Sequence, residues 1–258
     1  AVLFMMLAVL GYVRGNPAVA GIMVGFGASV AFFPVVVLLA ILIMAARHRF
    51  LKDIVSALLW AVFAWAVING TYMLTAWDRW LAQFNEMVRS DTGSSSLWNV
   101  WGSTVEPRTG VSLGTGDGGQ FVLLSMVLAL VFVLLVALLS KREPSVVQVT
   151  FLLLALYILL AKEYSLTYVL WLVPLVILCR RNWVEFALWQ VVETLYWATV
   201  VLPSSAWPTL PWVQEFGWSA QDLLAVVRYA FLVYLVVAVV VDMFRGRKAA
   251  ALGASAVQ

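Results

Sequence analysis

The chain has 258 residues, 64% of them hydrophobic and only 11% charged, with 16 Lys and Arg against 13 Asp and Glu for a net charge of +3. That composition excludes an ordinary soluble domain, and apolar runs near helix-spanning length recur throughout, so the chain reads as an integral membrane protein. The basic excess lies in residues flanking the runs, which leaves nucleic acid unimplied as a partner, while the single cysteine, Cys179, excludes an internal disulfide and the single histidine, His48, argues against a metal cluster.

Backbone groups in lipid must be satisfied within their own segment, and the runs lack the alternation of barrel strands, so they are helices. The expectation is an all-α polytopic fold of about eight transmembrane helices, near residues 1–13, 17–46, 54–76, 120–140, 146–161, 166–179, 183–202 and 220–244. Ala1 already stands inside an apolar run without a charged flank or a small-residue cleavage site, so the run is not a signal peptide, and the chain is expected to be the C-terminal part of something longer. The 17–46 run holds Pro34 and crowds Gly21, Gly25 and Gly27 into its first half. Its plain reading is a kinked helix whose glycines admit a close neighbour, and its sharper reading is a broken helix whose halves meet at a cavity.

Residues 1–248 form the expected transmembrane domain, with an external loop, 77–119, inserted and a disordered tail at 249–258. The first part of the loop, with Trp77, Trp80 and Phe84 at helical spacing, suits a helix lying along the interface, and 102–119 reads as irregular. Gly114, Gly116 and Gly119 spell G-x-G-x-x-G without a preceding strand, a chance match, and the sequon at Asn69-Gly70-Thr71 falls inside a helix.

Lys and Arg in short loops set orientation. Arg47, Arg49 and Lys52, then Lys141 and Arg142, then Arg180 and Arg181, then Arg245, Arg247 and Lys248 fall on alternate loops, which places all four sets and the C-terminus in the cytoplasm. The external side then receives 77–119, the turn around Lys162 and Glu163, and 203–219 with Trp207, Trp212 and Trp218. Only Arg14 is off this pattern.

Two ionisable residues fall deep in the bilayer. If the last helix starts at a Ser219-x-x-Asp222 cap, Glu193 and Arg228 each lie about nine residues, roughly 13 Å, below the external surface on consecutive antiparallel helices, where they can meet. They pin the two helices as a buried ion pair, or Arg228 offers its fork to a lipid phosphate with Glu193 holding it. At the external rim, Lys162, Glu163, Ser165, Thr167 and Tyr168 crowd hydrogen-bonding side chains into one short turn. A solvated turn with belt aromatics is the ordinary account; an anionic headgroup held by Lys162 and the hydroxyls, with Trp171 stacked beneath, would use all of them.

Ser165, Tyr168, Trp171 and Pro174 resemble the S-P-Q-Y-x-x-W-x-x-P element of glycosyltransferase family 87, with Leu166 and Thr167 in place of its Pro and Gln. Ala20, Gly21, Gly25 and Pro34 are similar to that family's A-G-x-x-x-G-x-a-a-x-x-K-x-x-P segment, with Ala31 where it has Lys, and the stretch Arg89 to Trp98, with Asp91 and Ser96 in it, looks like its external R-x-x-x-x-S-l-W element. The resemblance implies a GT-C-like membrane enzyme that moves a sugar, mannose or arabinofuranose, from a polyprenyl-phosphate donor to an envelope glycan or glycolipid outside an actinobacterial cell. It implies a catalytic acid in a first external loop that would precede residue 1, and no further cofactor.

In that chemistry a carboxylate takes the acceptor's proton, and cations or hydroxyls receive the departing phosphate's charge. Arg89, Lys162 and Ser165 suit the phosphate, and Asp91 and Glu163 are acids suited to positioning substrate. The expected partners are membrane lipids, the lipid-linked sugar, a glycan or glycolipid acceptor and other envelope-synthesis proteins. A transporter of a lipid-linked intermediate would share the buried Glu193 and Arg228 but should show repeat symmetry, and a non-catalytic scaffold subunit would explain the replaced Lys, Pro and Gln.

Overall fold

The structure, a computed structural model, describes residues 1–48, 51–82, 96–104, 106–110, 119–180, 182–202 and 219–245. Every regular element among the described residues is a helix. Three helices have both the length and the hydropathy of a membrane crossing, within Leu51–Thr75, Val122–Leu139 and Ala220–Phe244, and five other apolar helices have only 10–17 residues. Against the expected count of about eight transmembrane helices, only these three are long and apolar enough to cross, because a 14-residue helix rises only about 21 Å against a hydrocarbon core of about 30 Å.

The chain opens with an antiparallel pair, α1 (Val2–Val13) and α2 (Pro17–Val30). Gly15 takes a left-handed φ of 74° in the turn, Asn16 caps α2 by accepting from the Val19 amide at 3.1 Å, and Pro17 supplies its first residue. Gly11 lies against Val19 and Ala20, and Phe4 meets Phe26 edge to face, which fixes the antiparallel register.

Residues 17–46 are two helices rather than one kinked span. The helix α2 stops at Ala31, whose backbone is extended at φ −159° and ψ 144°, and α3 (Val35–His48) starts after Pro34. Proline has no N–H to continue a helical ladder and disfavours helical backbone at the preceding Phe33, so Pro34 opens the second helix instead of bending the first. The helix α4 (Leu51–Thr75) then runs parallel to α2, since Gly21 lies on Ala57, Gly25 on Ala61 and Ala64, and Ser29 beside Asn69. It follows that α3 carries the chain back between them, and the halves of the run form a reversal at one end of the bundle rather than a cavity at its middle. The reversal also moves Arg14 to the end where Arg47 lies.

Residues 77–82 are helical, followed by the short α5 (Leu97–Thr104) and α6 (Glu106–Thr109). The helices α7 (Gly119–Leu139), α8 (Val146–Leu160), α9 (Tyr168–Cys179), α10 (Trp183–Val201) and α11 (Ala220–Phe244) complete the bundle. Ser145 with Gln148 and Ser219 with Asp222 form capping boxes that start α8 and α11. Ten of the fifteen residues of α8 are buried, so this all-round apolar helix is the centre against which α3, α7, α9 and α11 pack.

One end of the bundle is held by arginines. Arg180 bridges Glu185 and Asp242, each at 2.6 Å, and the Arg142 amide donates to the Met243 carbonyl at 3.2 Å. Arg47 donates to the carbonyls of Ala137 and Ser140 and to the Ser140 hydroxyl, satisfying groups that the end of α7 leaves without helical partners. Arg47→Leu is expected to lower stability by about 1–3 kcal/mol, the cost of leaving those carbonyls unpaired. Thermal unfolding in detergent checks this, and an unchanged midpoint would mean that water replaces the guanidinium.

Candidate functional site

The other end gathers most of the polar and aromatic residues singled out above. Helices α10 and α11 are antiparallel, with the Tyr234 hydroxyl 2.9 Å from Glu185, and this register brings Glu193 opposite Arg228. Both are buried, Arg228 at 1% exposure and Glu193 at 5%. Each hydrogen-bonding face is occupied. The Arg228 Nε donates to Glu193 Oε2, while Oε1 accepts from the Tyr164 hydroxyl at 3.0 Å and the Trp189 indole at 3.1 Å. The two terminal nitrogens of Arg228 donate to the carbonyls of Tyr164 at 2.9 Å and Ser165 at 3.3 Å. Its guanidinium carbon also lies 3.5 Å from the Tyr164 ring centre and 4.6 Å from that of Tyr196, a desolvated cation–π pairing. Burial first and the Glu193 carboxylate second push the Tyr164 phenol well above its ordinary pKa, so it stays a donor. The fork of Arg228 therefore grips the chain's own backbone instead of facing a lipid phosphate.

From Tyr164 the contacts run outward to the loop. Tyr164 meets Tyr229 edge to face at 5.3 Å, and α11, which carries Tyr229, packs against α5. Ser96 is fully buried and caps α5 by accepting from the Asn99 amide at 3.0 Å. The Trp98 indole donates to the Leu160 carbonyl at 2.9 Å, one of the acceptors left open where α8 ends. Trp98→Phe is expected to cost about 1 kcal/mol through that lost bond, read as a lower unfolding temperature; no change would show that α5 is held without it.

The turn after Leu160 carries a part-buried Lys162, an exposed Glu163 and Ser165, whose hydroxyl is 3.2 Å from that of Thr167. Phe33 stacks on Trp171 at 3.9 Å between ring centres and Tyr168 packs tilted against it at 4.1 Å, so the chain's own rings cover Trp171 where a headgroup was expected to lie. Beneath the turn a cavity of about 190 Å³ is lined by Leu166, Val169, Leu170, Glu193, Thr194 and Trp197. Among the described residues no three His, Cys, Asp or Glu side chains gather as metal ligands.

Ser96, Trp98, Ser165, Tyr168, Trp171, Glu193 and Arg228 thus share one end of the bundle with the Lys162–Glu163 turn. Arg89 and Asp91 lie outside the described residues. Sequence reasoning missed the partners Trp189, Tyr196, Tyr229 and Phe33. Trp189 and Tyr196 had a signal, since they stand at i−4 and i+3 from Glu193 on one helical face; Phe33 and Tyr229 meet their partners across the fold and had none.

A helical bundle with an apolar flank, an arginine-held end and an aromatic, hydroxyl-rich end is a membrane protein of the polytopic class. The model of glycosyltransferase family 87 matches residues 1–162, and the chain belongs to that family. The match takes in the Ala20–Pro34 and Arg89–Trp98 segments and ends at Lys162, so Ser165, Tyr168, Trp171 and Pro174 lie beyond it. Neither a curated protein nor a solved structure matches the chain.

Proposed function

We propose that this family 87 protein transfers a sugar, mannose foremost, from a polyprenyl-phosphate donor to an envelope glycan or glycolipid on the outer face of the plasma membrane. The observation that carries the reading is the docking of Trp98, next to the buried Ser96, on the Leu160 carbonyl at the end of α8, where the turn with Lys162 and Ser165 begins. A lipid phosphate at that turn would meet an ammonium and two hydroxyls, and the cavity below it, walled by Leu166, Val169, Leu170 and Trp197, would take the first part of an apolar chain. The arginine end is placed in the cytoplasm with the C-terminus, because Lys and Arg concentrate on the cytoplasmic side. With the reversal at Ala31–Pro34, Arg14 joins that side, and nine of the described helices cross or enter the membrane.

Membranes with the full-length protein should transfer radiolabelled mannose from polyprenyl-phosphate mannose, and Lys162→Ala and Ser165→Ala in folded protein should each reduce transfer by about tenfold or more. Transfer untouched by either change would move the donor site away from the turn. No transfer from any polyprenyl-phosphate sugar would favour the scaffold reading.

A further inference from the structure

We infer that Arg228 is a positioning residue for the 161–167 turn, holding it in shape through backbone carbonyls; its consequence for transfer rests on the donor-site reading above. The turn joins α8 and α9, and Ala161 leaves α8 with extended backbone, φ −63° and ψ 154°. From there to Tyr168 the main chain bonds little to itself: the Tyr168 amide donates to the Ser165 carbonyl at 3.1 Å and, just beyond, the Leu170 amide to the Thr167 carbonyl at 3.2 Å. A segment with so little internal bonding is ordinarily among the first to open.

Arg228 changes that. Its two terminal nitrogens reach the successive carbonyls of Tyr164 and Ser165, its third is locked by Glu193, and Glu193 in turn receives the Tyr164 hydroxyl. Tyr164 is therefore held at its carbonyl, at its hydroxyl and by the ring face over which the guanidinium lies. The planar fork of arginine can engage two carbonyls and a carboxylate at once, which a lysine ammonium at the end of a flexible stem cannot do in that geometry. Because Lys162 and Ser165 belong to the same few residues, the grip sets where their side chains stand. The deep ion pair reports to the surface through main chain rather than by touching a ligand.

The test uses full-length protein in nanodiscs, with Arg228→Lys and Arg228→Met measured by hydrogen exchange and by kinetics with polyprenyl-phosphate mannose. Arg228→Lys keeps a cation against Glu193 and so retains the fold. In it, amide exchange of peptides covering Ala161–Tyr168 should speed by about tenfold or more while α8 and α10 keep wild-type protection. The donor KM should rise about tenfold with kcat within about threefold, the signature of a displaced binding group rather than lost chemistry. Unchanged exchange of the turn in Arg228→Lys would overturn the inference. So would a loss of protection spread over the whole bundle in that variant, which would make the pair a folding element alone. Faster exchange with an unchanged donor KM would uphold the positioning role and overturn the donor-site reading instead. If Arg228→Met does not fold, the lysine variant decides, and if wild-type protein transfers no sugar, the exchange measurement decides without it.

Discussion

Glu193→Leu should destabilise the bundle by about 3–5 kcal/mol, the range for removing one partner of a buried ion pair. The guanidinium it leaves behind is 1% exposed, so water cannot reach it, and the donors of Tyr164 and Trp189 lose their acceptor in the same step. The double variant Glu193→Leu with Arg228→Met should recover part of the loss, because two apolar side chains of similar volume remove the stranded charge. Recovery stays incomplete, since the Tyr164 carbonyl loses the donor Arg228 supplied, whereas the Ser165 carbonyl keeps the Tyr168 amide. Equilibrium unfolding of the four proteins closes a double-mutant cycle, in which a coupling near zero would mean that the two side chains do not meet.

The second large effect belongs to the seam between α2 and α4. A Cβ placed on Gly25 would stand 2.8 Å from the Ala64 Cβ and 2.9 Å from the Trp65 nitrogen, and closer still to the Ala61 carbonyl oxygen. Backbone atoms cannot rotate out of the way, so any side chain there must push the helices apart. Gly25→Val should therefore cost about 3 kcal/mol, the upper part of the range for overpacking, and should loosen the Asn69 to Ser29 hydrogen bond one turn further along. Gly70 gives the contrast: it lies on α4 with nothing within 4 Å of its Cβ position. Gly70→Ala should gain about 0.5–1 kcal/mol by helix propensity alone. Thermal midpoints of the two variants must move in opposite directions, and a shared direction would sink the assignment of the seam.

What the sequence disclosed follows from what each signal measures. The G-x-x-x-G of Gly21 and Gly25 names a face that another helix can approach, and Ala57, Ala61 and Ala64 are what approaches it. The pairing of Glu193 with Arg228 was legible because both lie about nine residues from a connection between consecutive helices. The Ser219 cap was legible because Asp222 stands three residues on. Hydropathy, in contrast, measures solubility and carries no direction. Ala31, Phe32 and Phe33 are as apolar as the helices around them, so one run concealed a reversal, whose traces were Pro34 inside the run and the off-pattern Arg14. Contacts such as Arg47 with Ser140, 93 residues apart, depend on which helices become neighbours, and no local pattern contains that. The role of Tyr164 was hidden for the same reason: in the sequence it is one aromatic among several at the rim, and only the approach of α11 makes it the centre of a network.

The reversal also bears on the lipid around the protein. Helix α2 has 14 residues between Asn16 and Ala31, so it rises about 21 Å where the surrounding hydrocarbon is about 30 Å thick. Acyl chains beside this hairpin must compress or tilt to meet it, at a fraction of a kcal/mol per Å of mismatch. The turn at Ala31–Pro34 lies against Trp171 through Phe33, so the thinned patch of bilayer adjoins the aromatic end of the bundle. The protein should therefore work best in bilayers of short acyl chains and lose activity as the chains lengthen.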